Sequence, residues 1–284
     1  MTISREEIGA AYELACRLEI KALKPGNVHV FAGGHNMTVD QFLISARVSS
    51  GPLTDPELSV GARILESVRA TREAVGTNTN LGIILLCGPI ATASAMKGED
   101  LRGNLRSVLN SLSLDDSRAV FEAIVLASPG GLGTAGEHDV REEPQVGLLQ
   151  AMGAAANRDS IARQYVTGFR DIFETGLPAL ESVRPVGGMW PAISAYMAFL
   201  SAFPDSHIAR KNGVDVAEAV RQQASELRQA LEEAEGEQDR IRLLTGFDRK
   251  LKEQGLNPGT SADLTVACLL VDILRDRLAY SDLK

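Results

Sequence analysis

The sequence predicts an all-α protein: a single multi-helix globular domain over residues 1–284, with a central helix buried in the core. Three observations predict it. Apolar residues recur at helical spacing along most of the chain. Runs of alternating β-branched residues are nearly absent, and aromatics make up only 5% of the chain. Capping signals stand ahead of the periodic stretches, and glycine or proline follows them.

Each element has its own reason. Ser4-Arg5-Glu6-Glu7 is a capping box, and the stripe Ile8, Ala11, Tyr12, Ala15, Leu18 carries a helix to Lys21. Lys24-Pro25-Gly26-Asn27 breaks it. Thr38-Val39-Asp40-Gln41 is a second capping box, opening a short helix through Ala46, with Pro52 and Pro56 bounding a loop. A helix over Glu57–Ala74 stops at Gly76. Thr77-Asn78-Thr79-Asn80 then precedes Leu81, Ile83, Ile84, Leu85 and Leu86, apolar on every side and therefore a buried helix. Further helices are expected over 99–112, 116–127, 145–155, 158–174 and Trp190–Ala202. Two charged amphipathic helices, 215–234 and 237–253, follow. A last helix, carrying Leu264, Ala267, Cys268, Val271 and Leu274, starts after Thr260-Ser261-Ala262-Asp263. No linker or repeat divides the chain.

Charge and cysteine content exclude whole classes. Acidic residues outnumber basic ones, 37 to 29, so the net charge of −8 lacks the footprint of a nucleic-acid binder. The three cysteines, Cys16, Cys87 and Cys268, are widely spaced in apolar helical contexts. They form no disulfide framework and no CxxC metal site. The N-terminal stretch has no signal-peptide core, and the longest apolar run, Leu81–Ala91, is too short to span a bilayer. A cytoplasmic protein without a membrane partner is expected, free to form a homodimer.

The chemistry-bearing residues gather at loop-to-helix junctions. Lys24 and Gly26 offer a point charge and close backbone approach, although a lysine before a Pro-Gly turn is also a plain helix end. Gly34-His35 precedes the second capping box. Thr77, Asn78, Thr79 and Asn80 sit where free N–H groups of a buried helix could receive phosphate, against the simpler role of capping. The loop over 128–139 is glycine-rich and ends in Glu137-His138-Asp139, whose carboxylates suit Mg²⁺. In Asp205–Gly213, helical spacing puts His207, Arg210 and Lys211 on one face, as a polyphosphate seat or a solvated basic patch. Ser261 and Asp263 open the last helix, as caps or as ligands. No Walker A loop, Rossmann fingerprint, nucleophile elbow or His-Glu-x-x-His helix is present.

Together, Lys24-Pro25-Gly26, Gly34-His35 with Phe42 and Ser45, Gly76–Gly82, Asp205-Ser206-His207 with Arg210-Lys211, and Pro258–Leu264 resemble the triphosphoribosyl-dephospho-coenzyme A synthase family, over nearly the whole chain. The resemblance implies an all-helical enzyme that moves a triphosphoribosyl group from ATP to dephospho-coenzyme A, or a related cofactor precursor, and releases adenine. It departs from the founding pattern at Asn78-Thr79-Asn80-Leu81-Gly82, where that pattern has Asn-Thr-His-Lys-Gly, and at Asn36 before Met37, where it has Asp. Asn27-Val28-His29 also stands in place of Leu-Val-Asp, and these changes mark a sister branch. The expected roles are phosphate binding by Lys24, Gly26, Thr77, Asn78, Thr79, Asn80, Arg210, Lys211 and Ser261. Mg²⁺ falls to Asp139, Asp263 and Glu19, and catalysis to His35, His207 and Asp263. An N-ribosyl hydrolase and a non-catalytic nucleotide-binding protein are the alternatives.

Overall fold

A computed structural model describes residues 3–31, 38–97, 100–129 and 139–281. All its regular elements are helical. The first are α1 (Arg5–Lys21), α2 (Val39–Leu53), α3 (Val60–Val75) and α4 (Leu81–Ser94). Next come α5 (Leu101–Asn110), α6 (Leu114–Ala127), α7 (Leu148–Ala155), α8 (Ser160–Thr167) and α9 (Leu177–Ser182). The last are α10 (Trp190–Ala202), α11 (Ser206–Asn212), α12 (Val214–Glu233), α13 (Glu237–Glu253) and α14 (Gly259–Ser281). The expected capping boxes at Ser4 and Thr38 are formed. Among the described residues no helix is long and apolar enough to cross a membrane. Cys16, Cys87 and Cys268 are free and buried.

The central buried helix is α4. Every residue in it except Gly82 and Thr92 is buried. It packs against α1, α2, α3, α5, α6, α8 and α14. Pro89 lies inside α4 and has no N–H to offer the Leu85 carbonyl one turn back. That carbonyl instead accepts the Tyr165 hydroxyl of α8 at 2.7 Å. Tyr165→Phe therefore leaves a buried acceptor unmade and is expected to cost about 1–3 kcal/mol by urea denaturation. An unchanged midpoint would refute that role.

Helix α2 and the stretch 158–174 differ most from the sequence expectation. Helix α2 does not stop at Ala46 but continues through Pro52 to Leu53. Serine reads as a loop former, yet Ser45 Oγ donates to Gln41 O and Ser49 Oγ to Ser45 O, both at 2.6 Å. These back-bonds satisfy the hydroxyls inside a buried helix. The stretch 158–174 is not one helix. Gly168 ends α8 at φ 63°, Phe169 follows at φ 59°, and a π-helical turn over Ile172–Gly176 leads into α9. A phenylalanine at positive φ is strained, and its fully buried side chain beside Tyr165 holds it there.

Asp116 shows how tightly α3 and α6 are joined. Its carboxylate accepts from Ser113 N and Oγ, both at 2.8 Å, and from Ser59 Oγ and Gly61 N, both at 2.7 Å. Burial pushes its carboxyl up, but these hydrogen bonds prevail and hold it below the usual carboxylate range. The stability it contributes is therefore present above the unfolded aspartate value and is lost as pH falls through the lower folded value. Urea midpoints measured from pH 6 down to pH 3 should fall more steeply for the wild type than for Asp116→Asn. Parallel curves would rule this out.

Candidate active site

A cavity of about 880 Å³ opens where the starts of α4 and α14 meet α11. The turn before α4 is built by short polar side chains. Gly76 closes α3 in the left-handed region at φ 72°. Asn78 Oδ1 accepts Leu81 N at 3.1 Å, so Asn78 acts as a cap. Ser45 Oγ already donates to Gln41 O, so Thr79 Oγ1 must be the donor in its 2.6 Å contact with Ser45 Oγ. By the same reasoning Ser49 Oγ accepts from Tyr12 Oη at 2.9 Å and from Asn80 Nδ2 at 3.3 Å. Thr79 and Asn80 are thus anchored to α2, although both lie on the cavity wall. The N–H groups of Gly82 and Ile83, at the mouth of α4, make no hydrogen bond among the described residues.

One buried carboxylate organises the opposite side. Asp205 Oδ1 caps α11 by accepting His207 N at 2.9 Å and Ile208 N at 3.1 Å. Its Oδ2 accepts Ser261 N at 2.7 Å and Ser261 Oγ at 2.8 Å. Burial raises the Asp205 carboxyl above its ordinary value, opposed by these hydrogen bonds. Ser261 is consumed by this contact and is not on the cavity wall. His207 is on the wall, and a side chain at Gly259 would overlap its ring.

Asp263 lies half-buried in the first turn of α14, facing the cavity. Burial raises its carboxyl well above the ordinary value. The charges of Asp205 and Glu19 add to that, and Arg210 opposes it. A Cβ on Gly82 would overlap the Asp263 carboxylate and strike Ile161 Cδ1 at 2.8 Å. The glycine therefore lets the acid reach the start of α4. Gly82→Ala should displace Asp263 and lower turnover by about 10²-fold, the cost of a misplacement near 1 Å. Steady-state kinetics with a circular dichroism control checks this; unimpaired kinetics would refute it.

The cavity gathers Glu19, Thr77, Asn78, Thr79, Asn80, Asp139, His207, Arg210, Lys211 and Asp263 from the sequence-derived set. It does not gather the whole set. Lys24 is fully buried behind the wall, paired with Glu19 and donating to Asn27 Oδ1 at 2.9 Å and Val28 O at 2.7 Å. Its ammonium is directed at protein rather than at the cavity. Burial lowers Lys24 and raises Glu19 from their ordinary values, each opposed by the partner's charge. Gly26, at φ 81°, donates its N–H to Asp248 Oδ1 at 2.9 Å, and a Cβ there would meet Pro258 Cδ at 2.8 Å. Its small size serves loop packing. His35 lies outside the described residues. Asp139 does not join Glu19 and Asp263: among the described residues no three His, Cys, Asp or Glu side chains are grouped to hold a metal ion. Glu19 is committed to Lys24 and Asp263 has a raised proton affinity, so these three do not fit a preformed Mg²⁺ cage.

The structure adds two cations that sequence reading missed, Arg72 and Arg158, both on the cavity wall. Arg72 sits in the last turn of α3, four residues before Gly76, and that closeness to the polar turn was a usable signal. Arg158 stands in an unremarkable turn after α7, and nothing local marks it. Arg163 also lines the cavity, but its guanidinium is held by Asp171 and lies over the Phe203 ring.

An all-helical domain with a large inter-helix cavity, lined by cations, by two helix starts and by a carboxyl of raised proton affinity, has the layout of an enzyme for phosphorylated small molecules. The comparisons narrow that class. The model of the ATP:dephospho-CoA triphosphoribosyl transferase family, CitG, matches residues 5–282, and the chain belongs to that family. It is thus a transferase of the triphosphoribosyl-dephospho-CoA synthase type. The fold is similar to a crystal structure from Archaeoglobus fulgidus assigned as a triphosphoribosyl-dephospho-coA synthase. The TM-score is 0.64 and the identity 26%, over 82% of this chain and 98% of that one. No curated protein matches.

Proposed function

We propose that this enzyme transfers the triphosphoribosyl group of ATP to a hydroxyl of dephospho-CoA and releases adenine. The observation that carries the reading is the meeting, in one cavity, of Asp263 with Arg72, Arg158, Arg210 and Lys211. In the reaction the bond from the ribosyl anomeric carbon to adenine nitrogen breaks, and a bond from that carbon to the acceptor oxygen forms. The acceptor loses its hydroxyl proton and the departing adenine gains one. Positive charge develops on the sugar as the first bond breaks.

The cations and the Gly82 and Ile83 N–H groups bind the triphosphate and fix the ribose. Desolvation and the nearby charges of Asp205 and Glu19 raise the proton affinity of Asp263, which suits a donor to the leaving base. Once deprotonated, its charge faces the cationic sugar. His207, seated against Gly259, accepts the hydroxyl proton of the acceptor. A Mg²⁺ ion bound to ATP would neutralise part of the triphosphate charge, and the chain would meet that complex with its cations rather than with a carboxylate cage.

The test is chromatography of ATP incubated with the protein, Mg²⁺ and dephospho-CoA. Adenine formed only with acceptor present, matched by a dephospho-CoA product heavier by the triphosphoribosyl group, is expected. Adenine without acceptor would replace transfer by hydrolysis of the N-ribosyl bond. No adenine at all would overturn the reading.

A further inference from the structure

We infer that the apolar side of the cavity, formed by α6 and α7, seats the uncharged pantetheine arm of the acceptor. The inference rests on the transfer to dephospho-CoA proposed above.

The cavity lining differs in chemistry from helix to helix. The starts of α4 and α14, together with α11, supply its polar side. Helix α6 contributes Phe121 and Ile124, and α7 contributes Leu148, Ala151, Met152 and Ala155. Helices α6 and α7 pack directly on one another, so this side is one continuous surface. Leu148 is fully buried beneath this surface, Phe121, Ala151 and Met152 keep only an edge, and Ile124 and Ala155 are half-buried.

The two substrates differ in the feature this division reads. ATP is a base, a sugar and a chain of charged phosphates, with no aliphatic segment. Dephospho-CoA is charged at its nucleotide end and uncharged along the arm, with a dimethyl-substituted carbon, two amides and a thiol. Setting phosphates against the α6–α7 surface would strip their hydration without compensation. Setting the arm there buries apolar groups against apolar groups and leaves the cations to the phosphates. The adenine of ATP is attached at the reacting bond, so it stays beside Asp263. A volume of about 880 Å³ exceeds what one nucleotide needs and is in the upper range of small-molecule sites.

The probe is 4′-phosphopantetheine, which has the arm but no nucleoside. It should inhibit competitively against dephospho-CoA and not against ATP. Ala155→Trp puts an indole on the α6–α7 surface at a half-buried helix end. It should raise both the inhibition constant and the KM for dephospho-CoA by about tenfold or more, with the KM for ATP unmoved. Ile124→Asn, at a second half-buried position, is expected to act in the same direction if the tryptophan variant fails to fold. Competition of 4′-phosphopantetheine with ATP would overturn the inference, as would an unchanged KM for dephospho-CoA in a folded variant. If the wild type forms no product, the transfer reading fails separately. Calorimetric titration with 4′-phosphopantetheine then still decides the arm site, since loss of binding in the variants supports it and undiminished or absent wild-type binding refutes it.

Discussion

Asp263→Asn is expected to lower turnover by about 10²–10⁴-fold, the range for loss of a general acid, with the helical circular dichroism unchanged. The replacement is nearly isosteric and stays polar, so the approach to Gly82 is preserved while the transferable proton is removed. Stability should move the other way. The folded carboxyl has its pKa raised by burial, with Asp205 and Glu19 adding to the shift. Its stabilising contribution is therefore complete below the unfolded aspartate value and is lost as pH rises through the higher folded value. Asparagine carries no such loss, so the variant should gain stability over the wild type as pH rises. A variant that turns over normally would remove Asp263 from the chemistry. One that is inactive but progressively less stable at high pH would assign it a purely structural part.

Lys24→Met is expected to destabilise the protein by about 3–5 kcal/mol, as removal of one member of a buried ion pair does. Lys24 has no exposed surface and Glu19 is 4% exposed, so water cannot replace the lost partner. The orphaned Glu19 would take up a proton more readily still, so the loss should grow as pH rises. The double variant Glu19→Gln, Lys24→Met should recover part of the stability. It would not recover all, because Asn27 Oδ1 and Val28 O also lose a donor. Urea midpoints at pH 6 and pH 8 make the comparison. A single variant within about 1 kcal/mol of the wild type at pH 8 would show that the pair is not the anchor of this loop.

The helices were legible because their signals are local. Ser4, Thr38, Gly76 and the all-round apolar run from Leu81 act within a turn or two of where they sit. The two misread stretches fail for physical reasons that are not local. Ser45 and Ser49 stay helical because they are buried and their hydroxyls are used by Tyr12 of α1 and by Thr79 and Asn80 in the turn before α4. Phe169 holds a strained backbone because the core covers it. At the site, residue type identified the polar junctions but not the direction each side chain takes. Lys24 and Ser261 carry suitable groups and spend them on Glu19 and Asp205. Arg72 lines the cavity marked only by its closeness to the Gly76 turn, and Arg158 lines it with no local mark at all. Direction depends on which helix covers which face, and that is set by packing across the chain.

The Asp205 carboxylate has a mechanical consequence. One buried side chain holds the leading turns of α11 and α14, so a rigid-body displacement of either helix would have to break its hydrogen bonds to the other. His207, Arg210 and Asp263 are therefore carried on a single stiff frame, with their spacing set before any substrate arrives. Such a frame cannot open like a jaw along its own seam.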